Sequence, residues 1–176
     1  MTASRYKFRL VIGLGNPGSE YENTYHNAGH LLVDSLVGRR FRNLEFKTDG
    51  SKLFQYLKNG SLVYAKSLVF MNQSGEAVLK SAKYFKVKPS EILVVHDDSD
   101  IALGKHKISF SSRSAGHKGV ESIIKSLGTR DFYRLRIGIR KRAGMAGDLV
   151  LEKIAQSDKK VLNKVFSEIK IPNLET

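Results

Sequence analysis

The stretch VIGLGNPGSEYENTYHNAGH, Val11 to His30, decides how this chain is read. It opens inside RLVIGL, a nearly continuous apolar run of the kind found in a strand buried on both faces. Gly13, Gly15 and Gly18 follow in the spacing G-x-G-x-x-G, and His26 and His30 stand at i and i+4. The glycines suggest a dinucleotide-binding turn and the histidines a zinc site. Each reading makes demands on its neighbours.

A dinucleotide turn needs a helix opening near the third glycine and an acid at the end of the next strand, about 20 residues on. Here Gly18 is followed by SEYENTYHN, polar and without an apolar stripe, and Asn16-Pro17 belongs to a tight turn. Asp34, at roughly the right distance, falls inside a helical pattern. The zinc reading fails in a similar way. HNAGH carries Asn27 where H-E-x-x-H has its general base, and Gly29 weakens the helix that the spacing requires. Neither a metal nor an organic cofactor is expected.

Around this stretch the chain reads as one α/β domain over residues 1–176, a twisted, mixed and mostly parallel sheet flanked by helices. GHLLVDSLVGRRF repeats apolar residues at i and i+4 and predicts a helix with Asn27 as N-cap. SKLFQYLKNGSLVYAKS predicts a hairpin turning at Asn59-Gly60. SGEAVLKSAKYFKV is an amphipathic helix through Val78, Leu79, Ala82 and Phe85. SLVF reads as a strand with Asn72 just past it, EILVVHDDSD as a strand that ends in acids with Asp97 just past its ILVV portion, and KHKISF and FYRLRIGI as further strands. GVESIIKSLG is a short helix stopped by Gly128, and KKVLNKVFSEI a closing helix.

The chain has 30 Lys and Arg against 17 Asp and Glu, a formal charge of +13, and no cysteine. Disulfides and thiolate metal sites are thereby excluded. Neither a signal peptide nor a membrane-spanning run is evident, so a cytoplasmic protein without a membrane partner is expected. The positive excess is concentrated in residues 105–142, where eleven Lys and Arg face only Glu121 and Asp131. A polyanion is the natural partner of such a surface. The aromatics among these basic residues, Phe110, Phe132 and Tyr133, are too few to make a stacking platform for single strands evident.

Polar residues at the ends of elements remain: Asn16, His26, Asn72 and Asp97. In α/β sheets such residues converge at the carboxyl ends of parallel strands. A histidine ahead of a helix is kept neutral by the positive helix end, and a carboxylate on its other nitrogen makes it a general base. No G-x-S-x-G elbow and no cysteine is present, so water would be the nucleophile. Asparagine side chains could position an amide or polarise a carbonyl. Taken singly, each residue also has a plain structural reading as turn, cap or solvated acid.

The blocks VIGLGNPGSEYENTYHNAGH, LVFMNQSGEAV, VVHDDSDIALGKHKI, SAGHKGVESIIKSLG and FYRLRIGI resemble, in order and spacing, the bacterial-type peptidyl-tRNA hydrolases from about Leu10 to Ile139. The resemblance implies a monomeric enzyme, working without cofactor, that hydrolyses the ester between a peptide and its tRNA and so recycles tRNA from stalled ribosomes. It implies that His26 activates water and Asp97 orients it. Asn16 and Asn72 would bind the peptide, Tyr21 and Met71 would line the site, and His117 and Lys118 would contact substrate from their loop. Arg136 would contact the tRNA, with Lys107 and Arg113 beside it on the basic surface. The sequence departs from the family pattern at Lys118, where asparagine is usual; the ammonium could disturb water positioning or grip a phosphate. It departs also at Tyr25, where arginine is common, and in RKRAGMAG after RIGI, where a reshaped loop is expected. Retention of the fold as an RNA binder without turnover is the competing reading, and Lys118 is the feature that favours it.

Overall fold

The apolar run becomes strand β1, Leu10–Gly13, buried along its whole length, in a computed structural model that describes residues 7–41, 44–141 and 148–171. Helix α1, Ala28–Arg40, follows, then strands β2, Lys47–Thr48, β3, Phe54–Asn59, and β4, Leu62–Ser67. Helix α2, Ser74–Phe85, leads into strand β5, Ile92–Ala102, and strand β6, His106–Phe110. Helix α3, Lys118–Leu127, strand β7, Tyr133–Arg140, and helix α4, Gln156–Glu168, complete the fold.

The strands form one sheet in the order β2-β3-β4-β1-β5-β7-β6. The central four are parallel, while β2, β3 and β6 are antiparallel to their neighbours. The sheet is therefore mixed, with a parallel middle and antiparallel edges. Successive side chains of a strand point to opposite faces, so β1 sends Val11 to one core and Leu10 and Ile12 to the other. The first core joins the sheet to α1 and α4 through Leu32, Val33, Leu162 and Phe166. The second joins it to α2 and α3 through Ala77, Val78, Val120 and Ile123. Helices on both faces explain why β1 and the start of β5 show no alternation with polar residues.

The glycines of the opening stretch serve this packing. A Cβ on Gly13 would lie 2.4 Å from the carbonyl oxygen of Gly29, and one on Gly29 would lie 2.4 Å from that of Val95. The start of α1 thus rests directly on the backbones of β1 and β5. A Cβ on Gly15 would strike the ring of His30, a helix residue whose Nε2 lies 3.5 Å from Ser67 Oγ.

Several local expectations are corrected. Asn27 occupies the position before α1, but its side chain makes no cap hydrogen bond; its amide pairs with the backbone of Asn16 instead. The hairpin turns one residue later than Asn59-Gly60. Asn59 pairs with Leu62, so Gly60 and Ser61 form the loop, with Gly60 at φ +58 as a type II′ turn favours. Strand β4 stops at Ser67, and Asn72 lies in the 3-10 turn Met71–Gln73. Strand β5 does carry the acids, as the sequence suggests, and runs two residues beyond them to Ala102; Asp97 and Asp98 pair with Ile137 and Gly138 of β7. The closing helix starts earlier, at Gln156. Arg142 and most of the RKRAGMAG segment lie outside the described residues.

Candidate active site

Three parallel strands bring the candidate residues together. Gly13, the last residue of β1, pairs with Val95, so β5 outruns β1 and Asp97 emerges beyond its end. The segment after β1 supplies Asn16, and the segment after β4 supplies Met71 and Asn72. With His26, Phe70 and the loop that carries His117 and Lys118, these residues line a cleft of about 750 Å³.

At its floor, Asp97 is 2% exposed and receives two imidazoles on one oxygen. His26 Nδ1 lies 2.8 Å and His117 Nε2 3.0 Å from Oδ1. The second nitrogen of His117 fixes its tautomer: Nδ1 accepts from the backbone N–H of Gly119 and Val120, capping α3. Nδ1 therefore bears the lone pair and Nε2 the proton that goes to Asp97. His117 reaches this position because Ala115 and Gly116, just before it, both adopt left-handed backbone with φ +52 and +80. His26 donates from Nδ1 to the same carboxylate, which leaves its Nε2 as an acceptor with no hydrogen-bond partner among the described residues, on a residue lining the cleft. Burial alone would raise the carboxyl pKa of Asp97, but His117 and His26 together hold it well below the usual range.

Asn16 is held in a fixed orientation. Its backbone pairs with the Asn27 amide at 2.9 and 3.0 Å, and its Oδ1 accepts the N–H of Met71 at 2.7 Å. With Oδ1 occupied, Nδ2 is the donor left for a ligand in the cleft. Asn72 is exposed on the cleft lining, as is Lys118, the first residue of α3, where the helix dipole disfavours a cation. Tyr21 does not line the cleft; its ring packs edge-on against Phe70, 6.1 Å between centroids.

The basic residues take up different roles. Arg136 donates through Nε to Asp98 Oδ2 at 2.6 Å, so its guanidinium is partly committed. Lys107 is its register partner on β6, and both are accessible. Arg113 is exposed in the loop that leads to His117. The ligand atoms of His26, Asp97 and His117 lie within 4.8 Å of one another, close enough to hold a metal ion. Here, however, both nitrogens are turned to one carboxylate oxygen.

Sequence reasoning missed the apolar wall of the cleft, Phe70, Val150 and Leu151. Phe70 stands within the LVFMN block and was within reach of it; Val150 and Leu151 lie on the distant 3-10 turn Asp148–Leu151 and carried no signal. His96, buried beside Asp97 on β5, was missed as well.

The family model for peptidyl-tRNA hydrolases matches residues 10–172. The peptidyl-tRNA hydrolase of Aquifex aeolicus is 39% identical over 163 residues, 91% of this chain and 85% of that one. That of Mycoplasma capricolum is 36% identical over 162 residues, covering 90% and 87%. The crystal structure of peptidyl-tRNA hydrolase from Acinetobacter baumannii superimposes with a TM-score of 0.81 at 27% identity, covering 94% of this chain and 86% of that one. A match over nearly the whole chain, in sequence and in fold, leaves one conclusion: the chain belongs to the peptidyl-tRNA hydrolase family.

Proposed function

We propose that this chain hydrolyses the ester linking a peptide to the 3′ end of tRNA, with His26 as the base that activates water. The observation that carries the reading is the His26–Asp97 pair at 2.8 Å, with the opposite nitrogen of His26, a cleft-lining residue, having no hydrogen-bond partner among the described residues. As water adds to the ester carbonyl, His26 Nε2 takes its proton, and the buried carboxylate of Asp97 balances the resulting imidazolium. The Nδ2 donor of Asn16, and the amide of Asn72 across the cleft, are suited to the peptide carbonyls and to the oxygen that becomes negative. Collapse of the adduct breaks the carbon–oxygen bond, and the imidazolium returns its proton to the ribose oxygen. An ester has a far better leaving group than an amide, so one base and oriented dipoles suffice.

His117 and Met71 complete the substrate-binding set, and Tyr21 acts through Phe70. Exposed Lys118 fits phosphate better than it fits water positioning, because an ammonium has no acceptor to offer a nucleophile. Arg136, Lys107 and Arg113 form the tRNA-binding part of the basic stretch 105–142, from whose surface Arg134 is withdrawn by burial. We read the enzyme as a monomer of the cytoplasm that recycles tRNA from stalled ribosomes. No helix among the described residues is long and apolar enough to cross a membrane.

The test is release of peptide from a purified N-blocked aminoacyl-tRNA, with His26→Ala as control. Release by the wild type and loss in the variant are expected. A wild type that binds the tRNA without releasing peptide would instead establish the RNA-binder reading.

A further inference from the structure

We propose that His96 is a positioning residue for this reaction, holding Asp97 and His117 in the arrangement that His26 requires; the proposal rests on the assignment of His26 and Asp97 to catalysis. His96 precedes Asp97 on β5, so the two side chains leave opposite faces of the strand. It is 1% exposed and does not line the cleft. Its Nδ1 lies 2.6 Å from the backbone oxygen of Asp97. A carbonyl only accepts, so Nδ1 carries the proton and Nε2 is a bare acceptor. That Nε2 is buried and has no partner among the described residues.

An unpartnered buried nitrogen costs stability. What the ring offers in return must be something a hydrocarbon of the same shape cannot do. Two features show what that is. The Nδ1–H bond ties down the peptide from which the Asp97 carboxylate projects. The ring also meets that of His117 edge-to-face, with centroids 4.6 Å apart and planes at 66°.

His117 is pinned at both nitrogens, by Asp97 and by the α3 cap. Those contacts lie in its ring plane and leave tilt about the line between them. His96 closes one side against that tilt, and His26, whose ring lies 5.1 Å away, faces it as well. His96 must be neutral to do this, since an imidazolium would draw the carboxylate of Asp97 away from His26. Burial keeps it so, with His117 and Arg134 also opposing its protonation and Asp97 favouring it.

The experiment compares His96→Phe and His96→Asn with wild type and with His26→Ala, measuring kcat and KM separately on N-blocked aminoacyl-tRNA, together with Tm. Phenylalanine keeps the ring and removes both nitrogens; asparagine keeps a donor near Nδ1 and removes the ring. Positioning predicts that kcat falls about tenfold in both variants with KM within about twofold. It also predicts that Tm of His96→Phe stays within a few degrees of wild type, because loss of the Nδ1–H bond is offset by removal of the unpartnered nitrogen. A kcat of His96→Phe within twofold of wild type, with His26→Ala inactive, overturns the proposal, as does a parallel loss of Tm and kcat, which marks plain packing. If His26→Ala still turns over, it is the assignment of His26 that fails. Nitrogen-15 NMR of the wild type decides independently of whether the variants fold. A neutral Nδ1–H tautomer at His96 from pH 5 to 8 supports the proposal, and an Nε2–H tautomer overturns it.

Discussion

Replacing Asp97 by asparagine isolates the charge in this site. Both imidazoles contact the same oxygen, Oδ1, at 2.8 and 3.0 Å. An asparagine in the same rotamer keeps an oxygen there, so both hydrogen bonds survive in neutral form. What disappears is the negative charge facing His26 when it becomes imidazolium. Two unit charges about 4 Å apart interact by about 4 kcal/mol at an effective dielectric of about 20. That value suits a carboxylate only 2% exposed. At about 1.4 kcal/mol per decade, this amounts to a loss of about a thousandfold in kcat. The interaction develops as the proton moves, so KM should change little. Single-turnover and steady-state release of peptide from N-blocked aminoacyl-tRNA, with His26→Ala as reference, measure both. A kcat reduced less than tenfold in a folded Asp97→Asn protein would show that Asp97 only orients His26, and the electrostatic part of the mechanism would be withdrawn.

The other predictions concern the scaffold and the substrate surface. Gly29→Ala places a Cβ 2.4 Å from the Val95 carbonyl and 2.6 Å from the Leu14 amide; because both are backbone, urea unfolding should show a loss of about 3 kcal/mol or more. Burial first, and then the charge of Lys66, lower the pKa of His30 from 6.5 to about 3, against the contribution of Ser67. Its folded pKa is depressed, so as pH falls below 6.5 the unfolded chain takes up the proton first and stability drops until the folded ring itself protonates. Unfolding free energies at pH 8 and pH 5 should differ by about 2 kcal/mol on account of this ring, and His30→Gln should remove that share. If Lys107 and Arg136 neutralise phosphates, the double alanine variant should weaken tRNA binding. The slope of log affinity against log salt should then become shallower by about 0.7 per single-strand phosphate that is no longer neutralised. An unchanged slope would place the tRNA elsewhere.

The sequence carried the scaffold well wherever burial imposes periodicity. Val11, Ile12, Val94 and Val95 alternate between two cores that are both apolar, and an unbroken hydrophobic run is the trace this leaves. Periodicity fails at the site itself. HDDSD has no strand-like composition, yet it continues β5 because β7 offers Ile137 and Gly138 as partners, and pairing from a distant strand overrides local preference. Asn27 shows the same limit at the scale of one side chain. Its position before α1 was legible, but whether its amide would cap the helix or clamp Asn16 depended on a turn that only the folded chain defines. His26 and Asp97 stand 71 residues apart, so their pairing was reachable through the family resemblance and not through spacing. His96 escaped because nothing marks a buried histidine until its ring is seen against that of His117. Where packing sets a residue's place, sequence pattern reports it; where a proton or a ring contact sets it, only the assembled fold does.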